Sequence, residues 1–267
     1  MNTATETKLV AIIGWQEGNA GQISSWLEKQ DEYSIACFVH TEDTPPIVDR
    51  IPRDVAQFDY PTNTSFKGKP LISSSRWIQE LKKRGISHVL ITTDNMQERQ
   101  DHIREARAAG MVLINAIHPS ALIMEDAVMQ DNIILHARAF IGYRAEIGAG
   151  VIINTGAQID HHCSVRECAT IDPAAILAGN VTIGRFTRVH TAAVVKNKIR
   201  IGENSVIGAG AVIIEDIPRI RRIFVIDEPI TFPTKRFGRC FLAAEIVTAN
   251  SGAVVPIASI VRPTIVC

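Results

Sequence analysis

The sequence has few aromatic residues and no net charge, and both shortages argue against classes of protein. Only 6% of the 267 residues are aromatic, whereas 46% are hydrophobic and 21% are charged. The 28 Lys and Arg residues balance the 28 Asp and Glu residues, so the sequence predicts no basic surface and no binding to nucleic acid. Because apolar residues are plentiful, we expect packed cores rather than a disordered chain.

The sequence also lacks a long apolar run. No stretch of about 18 apolar residues is uninterrupted, and residues 1–8 are polar. We therefore expect a cytoplasmic protein with neither a membrane span nor a secretory signal. The five cysteines are scattered and form no Cys-x-x-Cys motif, which argues against a disulfide framework or a zinc site.

A six-residue repeat runs from Ile123 to Ile213. Every sixth residue in this span is aliphatic, and the position two residues earlier is mostly small or β-branched. This period fits neither an α-helix nor a hairpin meander, but it suits short strands joined by tight corners around a prism. Three hexads would form a coil of about 18 residues, with coils roughly 4.8 Å apart. Glycines that directly follow inward residues are predicted to supply permissive backbone at the corners: Gly142, Gly148, Gly184, Gly202 and Gly208.

The segment before the repeat alternates strands with helices. Strands are predicted at 9–14, 33–39, 88–93 and 111–117, helices at 19–29, 75–84 and 95–109, and loops over most of 41–69. This alternation favours a small parallel sheet of Rossmann type. The predicted domains are therefore a Rossmann-like domain at 1–117 and a β-solenoid at 118–217. Residues 218–267 form a tail of unknown structure that could cap the open end of the solenoid.

Two adjacent histidines interrupt the repeat. His161 and His162 lie between the inward residues Ile159 and Cys163, so at least one ring must point outward. They could be an exposed pair without a function. A metal site is disfavoured because His190, the other nearby histidine, follows more than one coil later.

Gly179 stands three hexads after His161, which predicts the same corner one coil later. An imidazole base beside a backbone N–H donor is the arrangement that acyl transfer requires. The alternative is a glycine that serves only the corner.

Three motifs show a family resemblance: INTGAQIDHHC at 153–163, AGNVTIG at 178–184 and IGAGAVI at 207–213. Together with HPSA at 118–121, they resemble the hexapeptide-repeat sugar acetyltransferases, in the branch of UDP-bacillosamine and GDP-perosamine N-acetyltransferases and sialic acid O-acetyltransferases. The resemblance implies an α/β N-terminal domain followed by an all-β left-handed parallel β-helix. It also implies a homotrimer with active sites between subunits, acetyl-CoA as co-substrate and no metal.

The resemblance assigns roles to individual residues. His161 matches the general base, Asn154 an active-site asparagine, and Gly179 a glycine whose amide contacts the thioester. Further residues along the bound acetyl-CoA are Thr191, Gly208 and Ala209. The residues expected to contact the nucleotide-sugar or line the substrate pocket are Gly14, Asp94, Asn95, His162 and Thr170.

Some positions depart from the family pattern. His162 replaces the usual acidic residue, Thr170 replaces a second histidine, and His40-Thr41 replaces an acidic pair that helps to read the nucleotide. The sequence thus predicts an N-acetyltransferase for a nucleotide-linked amino-deoxy sugar in bacterial surface-glycan biosynthesis. The alternatives are O-acetylation of a free sugar such as sialic acid and a non-catalytic assembly subunit.

Overall fold

The computed structural model describes residues 7–46, 61–218, 222–225 and 243–245. The chain divides into two compact units, the first made of residues 1–121, 129–137 and 148–150, and the second of the remaining residues. The domain limits at 117 and 217 stay predictions.

The first unit contains a six-stranded sheet. In chain order its strands are β1 (Lys8–Ile13), β2 (Tyr33–His40), β3 (Ser65–Phe66), β4 (Lys69–Ser73), β5 (His88–Ile91) and β6 (Val112–Leu113). The spatial order is β3-β4-β2-β1-β5-β6, and every pairing is parallel except β3 with β4. The central strand β1 is fully buried from Val10 to Ile13, which explains its continuous apolar run.

Three helices connect these strands: α1 (Gln22–Leu27), α2 (Trp77–Lys83) and α3 (Met96–Ala108). A π-helical turn at Glu17–Gly21 and a 3-10 turn at Glu28–Gln30 flank α1, so together they span the helix predicted at 19–29. The Asn95 side chain caps α3 by accepting hydrogen bonds from the backbone N–H groups of Gln97 and Glu98. The α/β prediction for this segment is confirmed. Residues 47–60 of the predicted loop lie outside the described residues, and its described end contains β3.

The strand predicted at 111–117 is wrong as a single element. It is two strands, β6 in the parallel sheet and β7 (Ala116–Ile117), which pairs with residues 134–135 of the repeat. Asn115 separates them, because its side chain accepts from Ile133 N and donates to Gln130 O, taking up backbone groups as the chain turns. The apolar residues on both sides of Asn115 concealed this break.

The repeat forms strands of two residues each. They are β8 (Leu122–Ile123), β9 (Val128–Met129), β10 (Ile134–Leu135), β11 (Phe140–Ile141), β12 (Glu146–Ile147), β13 (Ile152–Ile153), β14 (Gln158–Ile159), β15 (Ser164–Val165), β16 (Thr170–Ile171), β17 (Ile176–Leu177), β18 (Thr182–Ile183), β19 (Arg188–Val189), β20 (Val194–Val195), β21 (Arg200–Ile201), β22 (Val206–Ile207) and β23 (Val212–Ile213). Each predicted inward aliphatic residue is the second residue of its strand.

Within the second unit these strands form three parallel faces. Each strand pairs with the strand three hexads later, as in Ile153 with Ile171, Ile159 with Leu177, and Val165 with Ile183. The inward positions from Ile141 to Ile213 are buried, and so are the small residues two positions before them. The predicted parallel β-helix with three hexads per coil is confirmed.

The corners use glycine differently from the prediction. The left-handed backbone position is the third residue after each inward aliphatic and is often not glycine, as at Arg144, His162 and Asn180. Gly142 instead provides space, since a Cβ there would lie 2.6 Å from the carbonyl carbon of Asp160 and from His161 N in the next coil. Close packing of coils, rather than backbone freedom, requires this glycine.

Beyond Pro218, the predicted tail is described at only two places. Strand β24 (Arg222–Val225) pairs in parallel with β22, and β25 (Ala243–Glu245) pairs antiparallel with β24. The rest of the tail, and with it most of the predicted cap, lies outside the described residues.

Candidate active site

Two corners of the β-helix unit carry most of the predicted site residues. We call residues 142–145, 160–163, 178–181 and 196–199 the His161 corner, because they follow β11, β14, β17 and β20. We call residues 154–157, 172–175, 190–193 and 208–211 the Asn154 corner, because they follow β13, β16, β19 and β22. One face of the prism separates the two corners.

The His161 corner exposes both histidines. Ile159 and Cys163 are buried, so the two rings between them project to the surface. The backbone is held on both sides, since His162 N donates to Tyr143 O at 2.9 Å and Asn180 N donates to His161 O at 2.9 Å. These bonds to neighbouring coils position exposed side chains on a rigid frame.

Gly179 lies directly against the His161 ring. A Cβ at position 179 would be 2.5 Å from both Cε1 and Nε2 of His161, closer than any side chain could be. Among the described residues, no hydrogen bond takes up the Gly179 N–H. An imidazole nitrogen and a backbone donor therefore lie side by side, the pairing that proton abstraction and oxyanion stabilisation need.

The two imidazoles of the pair contact each other. Their Nδ1 atoms are 3.1 Å apart, within hydrogen-bond distance, and the rings are nearly perpendicular, at 84°. The His162 ring also meets the Tyr143 ring edge to face, with centroids 5.7 Å apart. The orientation of His161 thus depends on its neighbour.

The cysteine below the pair does not act as a nucleophile. Burial raises the pKa of Cys163 to about 11, and its thiol donates to Ala178 O at 3.1 Å. At neutral pH it is therefore a protonated thiol rather than the reactive thiolate.

The Asn154 corner contains a charged cluster that sequence reasoning missed. Asn154 Nδ2 donates to Asp172 Oδ1 at 3.2 Å, and Asp172 Oδ2 lies 2.9 Å from Arg188 Nε and 2.8 Å from His190 Nδ1. The Asp172 side chain is only 6% exposed, so this carboxylate is held by its partners rather than by water. The spacing of three hexads from Asn154 to Asp172, and again from Asp172 to His190, was the available signal.

The three residues expected along acetyl-CoA share that corner. Thr191 and Ala209 are exposed at equivalent positions of successive coils, and Gly208 beside them is buried. The coils are joined there by Gly210 N, which donates to Thr191 O at 2.9 Å. The structure therefore gathers these residues with Asn154, whereas His161 and Gly179 lie on the other corner.

Thr170 differs from the remaining site residues. It begins β16 and is 2% exposed, which closes its side chain off from solvent within this chain. Its assignment to the substrate pocket stays a prediction.

The residues predicted to contact the nucleotide belong to the first unit. Gly14 follows β1 with φ +116°, and a Cβ there would lie 2.5 Å from Thr92 Oγ1 in the loop after β5. Asp94 and Asn95 follow in that same loop, where the Asn95 side-chain oxygen is occupied by capping α3. Because β2 and β5 flank β1 on opposite sides, these loops meet at the topological switch point where parallel sheets bind ligands.

A cavity of about 610 Å³ lies at the third corner of the β-helix unit, among Arg166, Arg185 and Arg200. Its wall contains neither His161 nor Asn154, and Arg185 is paired there with Glu203 at 2.6 Å.

Within the described ranges, no group of three His, Cys, Asp or Glu residues is arranged to hold a metal ion. No helix in the described part of the chain is long and apolar enough to cross a membrane.

Two solved structures similar to this chain are acetyltransferases. A histidine-to-alanine mutant of GDP-perosamine N-acetyltransferase from Caulobacter crescentus, in complex with CoA and GDP-perosamine, is 28% identical with a TM-score of 0.69, covering 80% of this chain and 92% of that one. The acetyltransferase domain of PglB from Neisseria gonorrhoeae, in complex with acetyl coenzyme A, is 26% identical with a TM-score of 0.70, covering 82% of this chain and 97% of that one.

A curated protein matches part of the chain. The acyl-[acyl-carrier-protein]–UDP-N-acetylglucosamine O-acyltransferase of Campylobacter lari is 28% identical over 123 residues, which are 39% of this chain and 47% of that protein. The chain thus spans about half the length of this relative. No family model matches the sequence.

These findings place the chain in the class of hexapeptide-repeat, left-handed β-helix proteins and confirm that part of the fold prediction. Within this class, the predicted resemblance to the sugar acetyltransferases with an N-terminal α/β domain is also confirmed. The particular proteins it resembles are GDP-perosamine N-acetyltransferase and the acetyltransferase domain of PglB.

Proposed function

We propose that this chain is an acetyl-CoA-dependent N-acetyltransferase for the amine of a nucleotide-linked amino-deoxy sugar, used in bacterial surface-glycan biosynthesis. The observation that carries the proposal is the contact between the His161 imidazole and Gly179. It is supported by the likeness to a sugar N-acetyltransferase in complex with CoA and GDP-perosamine.

His161 is the general base of the proposed reaction. The sugar amine attacks the thioester carbonyl, the new C–N bond forms, and His161 Nε2 takes the proton that the nitrogen releases. The Gly179 N–H stabilises the oxyanion of the tetrahedral intermediate. When the C–S bond breaks, the protonated imidazole returns the proton to the CoA thiolate, which leaves an N-acetyl sugar and free CoA.

The active site lies between subunits in this proposal. His161 with Gly179 and Asn154 with Thr191, Gly208 and Ala209 occupy different corners of one chain. A second copy that places its Asn154 corner against the His161 corner would complete the site. In a homotrimer, three such contacts form a closed ring, so every His161 corner and every Asn154 corner has a partner.

The nucleotide-sugar is bound by the α/β unit. The loops that carry Gly14 and Asp94 meet at the switch point of the sheet, where phosphates and nucleosides bind in this fold type. Because acetyl-CoA is a cytoplasmic metabolite, we place the reaction in the cytoplasm.

One observation favours the second candidate, O-acetylation of a free sugar. At the end of β2 the chain has His40, whose Nδ1 accepts from Trp15 Nε1 at 3.2 Å, in place of an acidic pair that would help to read a nucleotide. Micromolar binding of UDP or GDP alone would oppose this candidate, because a free sugar offers no nucleotide to recognise.

The test is a thiol-release assay with acetyl-CoA and a panel of UDP-, GDP- and dTDP-linked amino sugars. We expect release of CoA with at least one of them, and a loss of about 10²- to 10⁴-fold in kcat/KM for His161→Ala. The matched control is Asn204→Ala, an exposed residue at the third corner of the β-helix unit, outside the proposed site, which should retain wild-type activity. Absence of both acetyl-CoA binding and thiol release would leave the non-catalytic assembly subunit.

A further inference from the structure

The contact between the two imidazoles determines which nitrogen of His161 can act as a base. A neutral imidazole has one N–H, so it donates through one nitrogen and accepts through the other. Since the two Nδ1 atoms are 3.1 Å apart, one of them must donate and the other accept when both rings are neutral. His161 Nε2 faces Gly179, and it is free to take a proton only if the proton of the ring sits on Nδ1.

We propose that His162 is a positioning residue whose Nδ1 accepts the Nδ1–H of His161 and thereby keeps His161 Nε2 unprotonated toward the acceptor amine. The proposal rests on the proposed function in taking His161 as the base. It replaces the sequence-based assignment of His162 to substrate binding. His162 then carries its own proton on Nε2, which points away from the pair.

The side chains around the pair indicate that the acceptor of the His161 Nδ1–H is a neutral group. Within the described residues, no carboxylate forms an ion pair with either ring, and the neighbouring Asp160 carboxylate accepts from the His161 backbone N–H at 2.7 Å. The side chains nearest the pair include the Tyr143 ring, which has the Arg144 guanidinium 4.8 Å from its centroid. Asn180 holds the position equivalent to His162 in the next coil, and among the described residues its side chain makes no hydrogen bond to either imidazole. None of these groups is placed to accept the His161 proton.

The backbone holds His162 in the orientation that the proposal needs. Its φ of +57° is in the left-handed region, and its N–H is bound to Tyr143 O. The edge-to-face contact with the Tyr143 ring supports the His162 ring on one side. In catalytic triads, loss of the group that accepts the Nδ1 proton leaves the wrong tautomer and lowers kcat strongly.

Two substitutions separate an acceptor from a mere space-filling group. In His162→Asn the side-chain oxygen occupies the position of Nδ1, two bonds from Cβ, and asparagine tolerates left-handed backbone. In His162→Leu a methyl group takes that position and cannot accept. We expect His162→Asn to retain kcat within about threefold and His162→Leu to lose about tenfold in kcat, with the KM for the sugar unchanged in both.

The control for left-handed backbone is Asn204→Leu, at the equivalent turn position of the third corner, which lies outside the proposed site and has φ +57°. It should leave kcat and KM at their wild-type values. If His162→Asn and His162→Leu behave alike, or if only the KM for the sugar changes, the positioning role is wrong.

A second measurement does not depend on any substrate. ¹⁵N NMR of the imidazoles, recorded on the full chain above pH 8, reports which nitrogen carries the proton. We expect an Nδ1–H tautomer for His161 in the wild type and in His162→Asn, and a shift toward Nε2–H in His162→Leu. A wild-type Nε2–H tautomer would overturn the proposal even if acetyl transfer is found. Failure of all sugars in the thiol-release assay would instead refute the proposed function.

Discussion

The His161 imidazole lies so close to Gly179 that a Cβ at position 179 would be 2.5 Å from its Cε1 and Nε2 atoms. Gly179→Ala should therefore push the ring out of place without disturbing the core. We expect a loss of at least about tenfold in kcat/KM with little change in the thermal midpoint, because misplacing a base weakens proton transfer. Steady-state kinetics and thermal unfolding of the same samples check this.

The comparison for that variant is Gly142→Ala in the preceding coil. Its Cβ would meet the backbone of Asp160 and His161 at 2.6 Å, and backbone cannot move aside as a side-chain tip can. This variant should lower the thermal midpoint clearly. Equal activity of Gly179→Ala and wild type would show that the contact has no catalytic role.

A site shared between chains predicts complementation between inactive variants. His161→Ala removes the functional side chain of one corner, and Asn154→Ala removes that of the other. Each variant alone should therefore be nearly inactive. Co-expression in equal amounts with random assembly gives one intact contact in each mixed trimer and none in the homotrimers, so an intact His161 corner meets an intact Asn154 corner at about a quarter of all interfaces. Activity of about that fraction should return, measured by thiol release.

The control for complementation is simple mixing of the purified variants under conditions that prevent subunit exchange, which should restore nothing. If co-expression also restores nothing while mixed trimers are demonstrated by mass spectrometry, the active site belongs to a single chain.

The buried carboxylate of the Asn154 corner should stabilise the fold. Asp172→Ala leaves Arg188 and His190 without their shared partner and Asn154 without its acceptor. Because the side chains of both Arg188 and His190 are about one-third exposed, we expect a cost of about 1 to 3 kcal/mol in the free energy of unfolding, below that of a fully buried pair. Urea unfolding at fixed protein concentration measures it.

The matched control is Asp126→Ala, which removes an ion pair with Arg144 in which both side chains are more than half exposed. Exposed pairs contribute about 0 to 1 kcal/mol, so this variant should unfold almost like the wild type. Equal effects of the two substitutions would contradict a structural role for the Asp172 cluster.

Low pH should lower the free energy of unfolding of the first unit through protonation of His136. Burial, and secondly the neighbouring His118, lower the pKa of His136 from 6.5 to about 4. Between those pH values the unfolded chain binds a proton that the native chain does not, so the free energy of unfolding falls as pH decreases, by about 3 kcal/mol in all. Burial also lowers the pKa of His102, which adds in the same direction.

Substitution of His136 by glutamine should flatten this dependence. We expect the free energy of unfolding of His136→Gln to fall less steeply than that of the wild type between pH 6.5 and pH 4, as followed by urea titrations. Parallel slopes for the two proteins would show that His136 is not the group responsible.

Most of the β-helix could be predicted because its signal is local. Each inward residue, such as Ile159 or Val165, must be aliphatic in every coil, so the period is visible along the chain. The same spacing placed Gly179 on the corner of His161. The break at Asn115 was not predictable, because it depends on which distant backbone groups its side chain reaches.

The sequence by itself determined the architecture and the coil length, since these follow from a repeated pattern of residue types. It also identified His161 as the candidate base, through the family resemblance of the segment that interrupts the repeat. Only the tertiary structure decided that Asp172 joins Asn154 to His190, that the predicted site residues occupy two corners, and that the His161 ring is held by its neighbour. The physical reason is that these relationships depend on side-chain orientation at the corners, where each coil is free to place different polar groups on the same backbone.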